Sequence, residues 1–327
     1  MRKILDIPLN NKALVFGTNL GADILGISSS ILFKDTQAQI DAILAFNDFF
    51  NPDFLLTPMD LSVEAEYFGS SVRFLESDAP TVTNRLIQSI DEIKKISTPH
   101  PESKRIKAFL TAAESIKSLH IGKPLISGAT GPFTLAGRLF GEQELFRLIF
   151  LDPSAAEALI DKCLRFIHDF AEAFKQAGCD GIVISEPLAG MLSPKDMKRF
   201  SSRFIRDLVK ELESPEFFVI IHNCGAKIVH ADAILHAGAS TFHFGAPMDI
   251  VQILEKCNGA PVVSGNLDPV AIFMGGTPES VFTETRSLMK RANSHRNFLI
   301  SSGCDLPRNT PPENVHAFYS AVRQELP

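Results

Sequence analysis

The sequence predicts a (β/α)8 TIM barrel with extra helices inserted between the second and third strands. Eight short apolar runs alternate with segments of helical spacing, and this alternation is typical of an α/β fold with a parallel sheet. An open, doubly wound sheet would carry a glycine-rich phosphate loop after its first strand, but the segment FGTNLGAD at 16–23 lacks the G-x-G-x-x-G spacing. A chain of 327 residues suits one such barrel, so we expect a single catalytic domain over 1–327.

Eight β-rich apolar runs are the predicted barrel strands. Each is five or six residues long, and helical patterns separate it from the next. In chain order the predicted strands are 13–17, 53–57, 124–128, 181–185, 217–222, 240–244, 261–265 and 297–301.

The helices between these strands are predicted from their starts. A hydroxyl or carboxylate residue followed by proline caps a helix and pre-sets its first dihedral angle, and Asp152, Ser193, Thr277 and Thr310 each precede a proline. More than sixty residues separate the second and third strands, where two helical patterns, 81–98 and 101–119, stand in place of one. We therefore predict an inserted helical layer at this point.

Composition excludes several classes of partner. The chain has 32 basic and 38 acidic residues, a net charge of −6, and its basic residues are scattered rather than clustered, which argues against nucleic-acid or membrane-surface binding. The N-terminus has no apolar run ending in a small-residue cleavage site, and no later stretch approaches about 20 apolar residues. We expect a cytoplasmic protein. Five cysteines are a sparse, odd-numbered set that does not suggest a disulfide framework, so we expect reduced thiols, which are available to bind a metal.

A histidine and two cysteines follow barrel strands and predict a zinc site. Catalytic groups of a TIM barrel lie at the carboxyl ends of its strands. His222 and Cys224 are two residues apart after the fifth strand and point to the same side, and Cys304 follows the eighth strand at the same barrel end. The other three cysteines are predicted to lie on outer helices or at the opposite end of the barrel, where they would serve as small buried apolar residues. They are Cys163, Cys179 and Cys257.

Three protein ligands predict a catalytic rather than a structural zinc ion, because the fourth tetrahedral position stays open. With two thiolates bound, the metal is a modest Lewis acid for water and is better suited to another thiol. Zinc lowers the pKa of a bound thiol while leaving the sulfur nucleophilic enough to accept an alkyl group. The sequence therefore favours alkyl transfer to or from a heteroatom held at the metal. The alternative is a satisfied histidine with two unliganded cysteines.

Two further residues are candidate catalytic groups. Glu186 follows the fourth strand and is predicted to be a fourth zinc ligand or a proton acceptor for the thiol, with a helix-start carboxylate as the alternative. His243 alternates with two phenylalanines in the sixth strand, so it is predicted to point into the top of the barrel. There it would either support the metal ligands or pack in the core.

Five polar residues are candidate binding groups. Asp60 and Glu64, four residues apart after the second strand, are predicted to share one helix face and to orient substrate, with a solvated acidic face or a helix cap as the alternative. Asn266 and Asp268 end the seventh strand and are predicted to bind cofactor or substrate, although capping of the next helix explains them almost as well. Arg308, the nearest cation to Cys304 in sequence, is predicted to hold an anionic substrate tail, against a solvated loop charge.

Several motifs resemble the uroporphyrinogen decarboxylase superfamily. They are DLSVEAE at 60–66, GPFTL at 131–135, GNLDP at 265–269 and the H-x-C pair of His222 and Cys224 with the distant Cys304. The last pattern is closest to the methylcobamide methyltransferase branch, typified by methylcobalamin:coenzyme M methyltransferase. This resemblance implies a zinc-dependent enzyme that moves a methyl group between a corrinoid, carried on a separate corrinoid protein, and a thiol such as coenzyme M.

One departure separates the chain from the decarboxylases of this superfamily. They carry an arginine-bearing R-Q-A-G-R-Y segment early in the barrel to hold substrate carboxylates, and the matching stretch here is FGTNLG at 16–21. Tetrapyrrole decarboxylation is therefore disfavoured. Demethylation of a methoxylated compound or a methylamine onto the corrinoid remains an alternative, because zinc ligands do not fix the direction of transfer. So does a binding protein with a structural zinc.

Overall fold

The strands of the chain build one parallel sheet and one small hairpin. We describe residues 9, 11–97 and 104–324 of a computed structural model. Within them the strands are β1 (Ala13–Leu14), β2 (Leu55–Leu56), β3 (Val72–Arg73), β4 (Thr81–Val82), β5 (Leu125–Thr130), β6 (Gly181–Ser185), β7 (Phe218–Asn223), β8 (Thr241–Phe244), β9 (Val262–Leu267) and β10 (Phe298–Ser302). All but β3 and β4 are parallel and lie in the order β1-β10-β9-β8-β7-β6-β5-β2. The eight predicted strands are confirmed, with ends displaced by no more than three residues.

The barrel closes between β1 and β2, the two ends of that order. In the part of the chain described here, no ladder hydrogen bond joins these two short strands. Side chains bridge the gap instead. The carboxylate of Asp53 accepts from the Ala13 amide at 3.0 Å and from Lys12 at 2.8 Å, while the Thr18 hydroxyl donates to the Leu56 carbonyl at 2.8 Å. The sheet is a TIM barrel with a side-chain seam.

Helices cover the outside of the sheet. Their bounds are α1 (Thr18–Ile24), α2 (Ser29–Leu32), α3 (Thr36–Phe50), α4 (Val63–Phe68), α5 (Ile90–Lys95), α6 (Lys104–Ser118), α7 (Pro132–Phe140), α8 (Glu142–Leu151), α9 (Pro153–Gln176), α10 (Pro194–Met197), α11 (Arg203–Leu212), α12 (Ala231–Leu235), α13 (Ile250–Cys257), α14 (Pro278–Ala292) and α15 (Pro312–Arg323). Short 3-10 turns occupy Pro187–Met191 and Ile228–His230, and π-helical turns occupy Lys198–Ser202 and Pro269–Met274. Across the described ranges, no helix has both the length and the apolarity needed to cross a bilayer.

Three of the four predicted helix caps are confirmed. Asp152, Ser193 and Thr277 each accept a hydrogen bond from the backbone amide three residues later, and each precedes a helix that begins at proline. The fourth prediction is wrong in its position. The last helix begins at Pro312 and its cap is Pro311, which has no hydroxyl to accept an amide, while Thr310 donates to the carbonyl of Pro307.

The insertion between β2 and β5 is partly helical. The second predicted helix, 101–119, is confirmed as α6, although 101–103 lie outside the described residues. The first, 81–98, is largely wrong. Val72–Arg73 and Thr81–Val82 pair as an antiparallel hairpin, and only Ile90–Lys95 is helical. Thr81 and Val82 pair with β3 as a short strand. The spacing of apolar residues, from which the helix was predicted, does not reveal this pairing.

The barrel interior has an apolar layer beneath a polar one. Alternate residues of a strand face the same side, and in-register parallel neighbours share that side. Buried apolar side chains fill the lower layer: Leu14, Leu56, Ile126, Val183, Ile220, Val262 and Leu299. The next inward-facing residues along the strands are buried and polar. They are Ser185, His222, Ser264 and Ser301, each two residues after an apolar one, and His243, which is in register with His222 and Ser264. This change brings hydrogen-bonding groups to the carboxyl end of the barrel.

We predict that Gly21→Ala destabilises the fold. A Cβ at Gly21 in α1 would lie 1.9 Å from the Ala42 carbonyl oxygen in α3, so the two helices must separate. Overpacking of this kind costs about 1–3 kcal/mol, more than the roughly 1 kcal/mol that alanine contributes through helix propensity. Urea unfolding measures the loss. Gly225→Ala, which meets no atom within 4 Å, is the matched control. Equal midpoints for both variants would contradict the close packing of α1 on α3.

Candidate metal centre

The three predicted metal ligands lie together at the carboxyl end of the barrel. His222 ends β7, Cys224 follows it, and Cys304 follows β10. One ligand atom from each lies within 4.8 Å of the others, and the Cys304 Sγ is 3.7 Å from the His222 Nε2. His222 is buried and both cysteines are half-buried, so the cluster faces the mouth of the barrel. Residues 80 positions apart in sequence meet because both strands end at the same edge of the sheet.

Glycines allow the loops that carry the two cysteines to pack against each other. A Cβ at Gly245, which follows β8, would lie 2.1 Å from the carbonyl oxygen of Cys224. A Cβ at Gly303 would lie 2.9 Å from the amide nitrogen of Ala246. The loop after β8 therefore packs directly on both cysteine loops, and any larger residue at Gly245 would displace Cys224.

The protonation of the two thiols suits metal binding. A hydrogen bond from the Cys304 thiol, with a further contribution from the adjacent His222, lowers the pKa of Cys224, so its thiolate forms readily. The same shared proton, together with burial, raises the pKa of Cys304. An imidazole nitrogen and two sulfurs around one point are the donor set that zinc prefers, and the residues present fit that metal. In the outer apolar layer, burial raises the pKa of the three other cysteines, to about 12 for Cys179 and about 11 for Cys257.

His243 lies directly behind His222, the candidate metal ligand. Its Nδ1 is 2.8 Å from the Nδ1 of His222, and its Nε2 is 2.7 Å from the hydroxyl oxygen of Ser301. The Phe16 ring stacks on it, with centroids 4.4 Å apart and planes 17° apart. Burial and the neighbouring His222 hold the pKa of His243 well below its usual value. The strand alternation placed this side chain correctly inside the barrel.

Glu186 holds the start of α7. Its carboxylate accepts from the backbone amides of Phe133 and Thr134, each at 2.8 Å, and from the hydroxyl groups of Thr134 and Ser201. The side chain is buried, and burial raises the pKa of this carboxyl to about 7. Among the described residues the candidate metal cluster comprises three side chains and does not include Glu186. The carboxylate caps α7 rather than the turn that follows it in sequence.

Asp60 and Glu64 are not neighbours on one helix face, because α4 begins at Val63, after Asp60. The alternative of a solvated acidic face is also wrong, since both carboxylates are buried. Asp60 pairs with Arg105 at 2.6 Å. Glu64 accepts from the Thr130 amide at 2.7 Å and from the Thr130 hydroxyl at 3.0 Å, which ties α4 to the end of β5. Each is held by protein groups, and a role in orienting substrate stays a prediction.

Asn266 and Asp268 make contacts with the backbone. The Asn266 amide donates to the carbonyls of Gly245 at 3.0 Å and Met248 at 2.6 Å, so it fixes the loop after β8. Asp268 accepts from the amides of Val270 and Ala271 and caps the following π-helical turn. The capping alternative describes what Asp268 does here, and binding of cofactor by either residue stays a prediction.

Arg308 is bonded within the protein. Its guanidinium pairs with Asp23 at 2.5 Å and donates to the Ser29 hydroxyl and the Ile27 carbonyl. These partners lie about 280 residues away in sequence, in the segment after β1. The alternative of a solvated loop charge is therefore wrong, and binding of a substrate anion stays a prediction.

Sequence reasoning missed three groups beside the cluster. Asp305 follows Cys304, accepts from the Asn19 amide at 2.7 Å, and has a pKa raised by burial to about 7. Phe16 forms a wall against both histidines, and Ser301 binds His243. The signal for Ser301 was present, because it lies two residues after the inward-facing Leu299. Asn19 and Asp305 meet only in the fold.

Comparison with known proteins places the chain in a family. The profile of the uroporphyrinogen decarboxylase (URO-D) family matches residues 20–325, nearly the whole chain. The chain belongs to the uroporphyrinogen decarboxylase family. Membership explains why the GPFTL and GNLDP segments occur together, and it confirms the resemblance drawn from those motifs.

Relatives within the URO-D family include proteins of two activities. Methylcobamide:CoM methyltransferase MtbA of Methanosarcina acetivorans is 26% identical over 271 residues, which cover 81% of this chain and 78% of that protein. Uroporphyrinogen decarboxylase of Vesicomyosocius okutanii is 23% identical over 303 residues, covering 89% and 85%. A solved structure, a methyltransferase from Methanosarcina mazei, matches with a TM-score of 0.85 at 18% identity, covering 96% of this chain and 92% of that one. The chain is thus a member of a family of enzymes, and the barrel fold is confirmed.

We predict that Glu64 makes stability depend on pH. Burial raises the pKa of this carboxyl from 4.5 to about 7, and Asp60 adds to the rise. The folded protein then binds the proton more tightly than the unfolded chain, so the unfolding free energy falls as pH rises from 4.5 to 7, by at most about 1.4 kcal/mol per pH unit.

The comparison of two variants checks this prediction. Glu64→Gln keeps an acceptor for the Thr130 amide but cannot titrate, so urea unfolding at a series of pH values should show a flatter profile. Glu284→Gln, at an exposed position of α14, should keep the slope of the unchanged protein. Parallel profiles for the unchanged protein and Glu64→Gln would contradict the raised pKa.

Proposed function

We propose that this protein is a zinc-dependent methyltransferase that moves a methyl group between a cobamide and a small thiol such as coenzyme M. One observation carries the proposal: the His222 imidazole and the thiols of Cys224 and Cys304 converge at the mouth of the barrel. The relative in Methanosarcina acetivorans is a methylcobamide:CoM methyltransferase, an activity that agrees with such a donor set.

The chemistry at this site follows from its ligands. His222, Cys224 and Cys304 would hold the ion, and zinc bound there would lower the pKa of a substrate thiol and keep it as a thiolate. In the overall reaction a carbon–sulfur bond forms and the carbon–cobalt bond breaks, with its electron pair remaining on cobalt. The protein positions the two reactants. The Phe16 ring, 5.6 Å from the His222 ring, supplies an apolar wall beside the reacting groups.

The distribution of arginines favours methyl transfer over decarboxylation. A tetrapyrrole with eight carboxylates needs several free cations. The segment 16–21 contains no arginine, and two arginines that are bonded to, or are themselves, candidate site residues are occupied: Arg105 by Asp60 and Glu66, and Arg308 by Asp23. These ion pairs support a substrate with little negative charge in comparison with a porphyrinogen.

Exposed apolar side chains around the mouth support a protein partner that carries the corrinoid. Met191, Val229, Val270 and Met274 are exposed, and they lie in the turns that follow β6, β7 and β9. These turns are at the same end of the barrel as the metal ligands. A corrinoid protein docked there would bring its cofactor to the cluster, and apolar rim residues are what such contact would bury.

Mixing the protein with methylcobalamin and a thiol tests the proposed reaction. We expect the absorption spectrum of methylcobalamin to convert to that of cob(I)alamin under anaerobic conditions, with the S-methylated thiol detected by mass spectrometry. Coenzyme M and an uncharged thiol are compared. The proposal is wrong if the methylcobalamin spectrum does not change with any thiol and the cob(I)alamin spectrum does not change with a methoxylated compound or a methylamine. Carbon dioxide released from uroporphyrinogen would instead establish decarboxylation.

Removal of one cysteine should separate metal binding from folding. Cys304→Ala should fold, since the residue lies in a half-buried loop, but lose most bound zinc and nearly all methyl transfer, because two ligands do not hold the ion. Cys257→Ala, in the outer apolar layer, should keep both. Zinc content by elemental analysis, with circular dichroism for folding, measures the difference. Stoichiometric zinc in Cys304→Ala would refute the ligand assignment.

A further inference from the structure

A line of hydrogen bonds crosses the barrel interior behind His222. The strand register places His222 of β7 directly beside His243 of β8, and both side chains face inward. Their Nδ1 atoms are 2.8 Å apart. On its other side, the His243 Nε2 lies 2.7 Å from the Ser301 hydroxyl, which contacts the Leu14 carbonyl oxygen. Thus four residues on four strands are joined in one line.

Only one order of protons satisfies this line. The Ser301 hydroxyl has one proton, and its neighbours besides His243 are the carbonyl oxygens of Leu14 and Ser302, which can only accept. The proton of Ser301 therefore goes to a carbonyl, and its oxygen accepts from His243. His243 then carries its proton on Nε2, its Nδ1 is an acceptor, and His222 donates from Nδ1.

This order leaves the correct atom of His222 free. A neutral imidazole has one proton, so a proton on Nδ1 leaves a lone pair on Nε2. The Nε2 is the atom that faces Cys304, at 3.7 Å. The opposite order would place the proton of His222 on Nε2 and block ligation. All members of the line are buried, and Phe16 stacks on His243, so water does not compete for these hydrogen bonds.

We propose that His243 is a positioning residue that, with Ser301, selects the His222 tautomer able to bind the metal through Nε2. The inference rests on the proposed function only in taking His222 as a metal ligand. Neither His243 nor Ser301 belongs to the metal cluster. Their effect reaches the metal through the proton of His222, and partners of this kind typically change metal affinity by about 10–100-fold.

Two substitutions of similar size separate the acceptor role from simple packing. In His243→Asn the amide oxygen occupies the place of Nδ1 and can accept from His222, so zinc affinity should stay close to that of the unchanged protein. In His243→Gln the polar end reaches toward Ser301 and the acceptor beside His222 is lost, so the dissociation constant should rise about 10–100-fold. Competition with a chromophoric zinc chelator measures both. Equal affinities of the two variants would overturn the proposal.

A spectroscopic reading tests the proton order without any substitution. Long-range 1H–15N correlation spectra of the histidine rings should show His243 protonated on Nε2 and bare on Nδ1, both with and without zinc. A proton on Nδ1 would overturn the proposal. A protein that takes up no zinc would contradict the proposed function. The tautomer of His243 would still decide whether the hydrogen bonds have the proposed order of protons. A variant that fails to fold leaves this reading decisive.

Discussion

The in-register pairing of parallel strands is the constraint on which the rest of the site depends. Side chains of a strand alternate between its two faces. A residue two positions after an apolar interior residue must therefore also face the interior. In β7 this places His222 above Ile220, and in β10 it places Ser301 above Leu299. A slip of one residue in either strand would turn the polar groups toward the outer helices. The candidate metal ligands therefore depend on the apolar layer beneath them.

The buried carboxylates around the mouth of the barrel are stabilised by donors from the protein. Burial of an unpaired polar group costs about 1–3 kcal/mol in proteins, and more for a charge. Glu186 receives four donors and Glu64 two, and both carboxyls bind protons more tightly than usual because of their burial. These carboxylates hold the start of α7 and the end of β5, so the loops around the mouth are set by buried acids rather than by surface contacts.

The strands and the grouping of the three candidate metal ligands could be predicted, because short local patterns place each of these residues at the carboxyl end of a strand. A short apolar run predicts a strand, and a histidine two residues before a cysteine at its end predicts shared direction, whatever the rest of the chain does. The bonds of Arg308 could not be predicted, because Asp23 is 285 residues away and only barrel closure brings them together. Asp60 was misplaced for a related reason, since its ion-pair partner Arg105 is 45 residues away in sequence. The β3–β4 hairpin lacked the alternation that marks a strand.

The seam between β1 and β2 makes the barrel wall unequal in strength around its perimeter. Strands β6 to β9 are held by continuous ladders, whereas β1 contributes two residues to one ladder and meets β2 through the side chains of Asp53 and Thr18. Local opening requires least free energy where few backbone hydrogen bonds must break. Phe16, whose ring covers His243, lies two residues after this weakly held strand. The interior of the barrel is therefore most readily hydrated from the side on which His243 is shielded by the Phe16 ring.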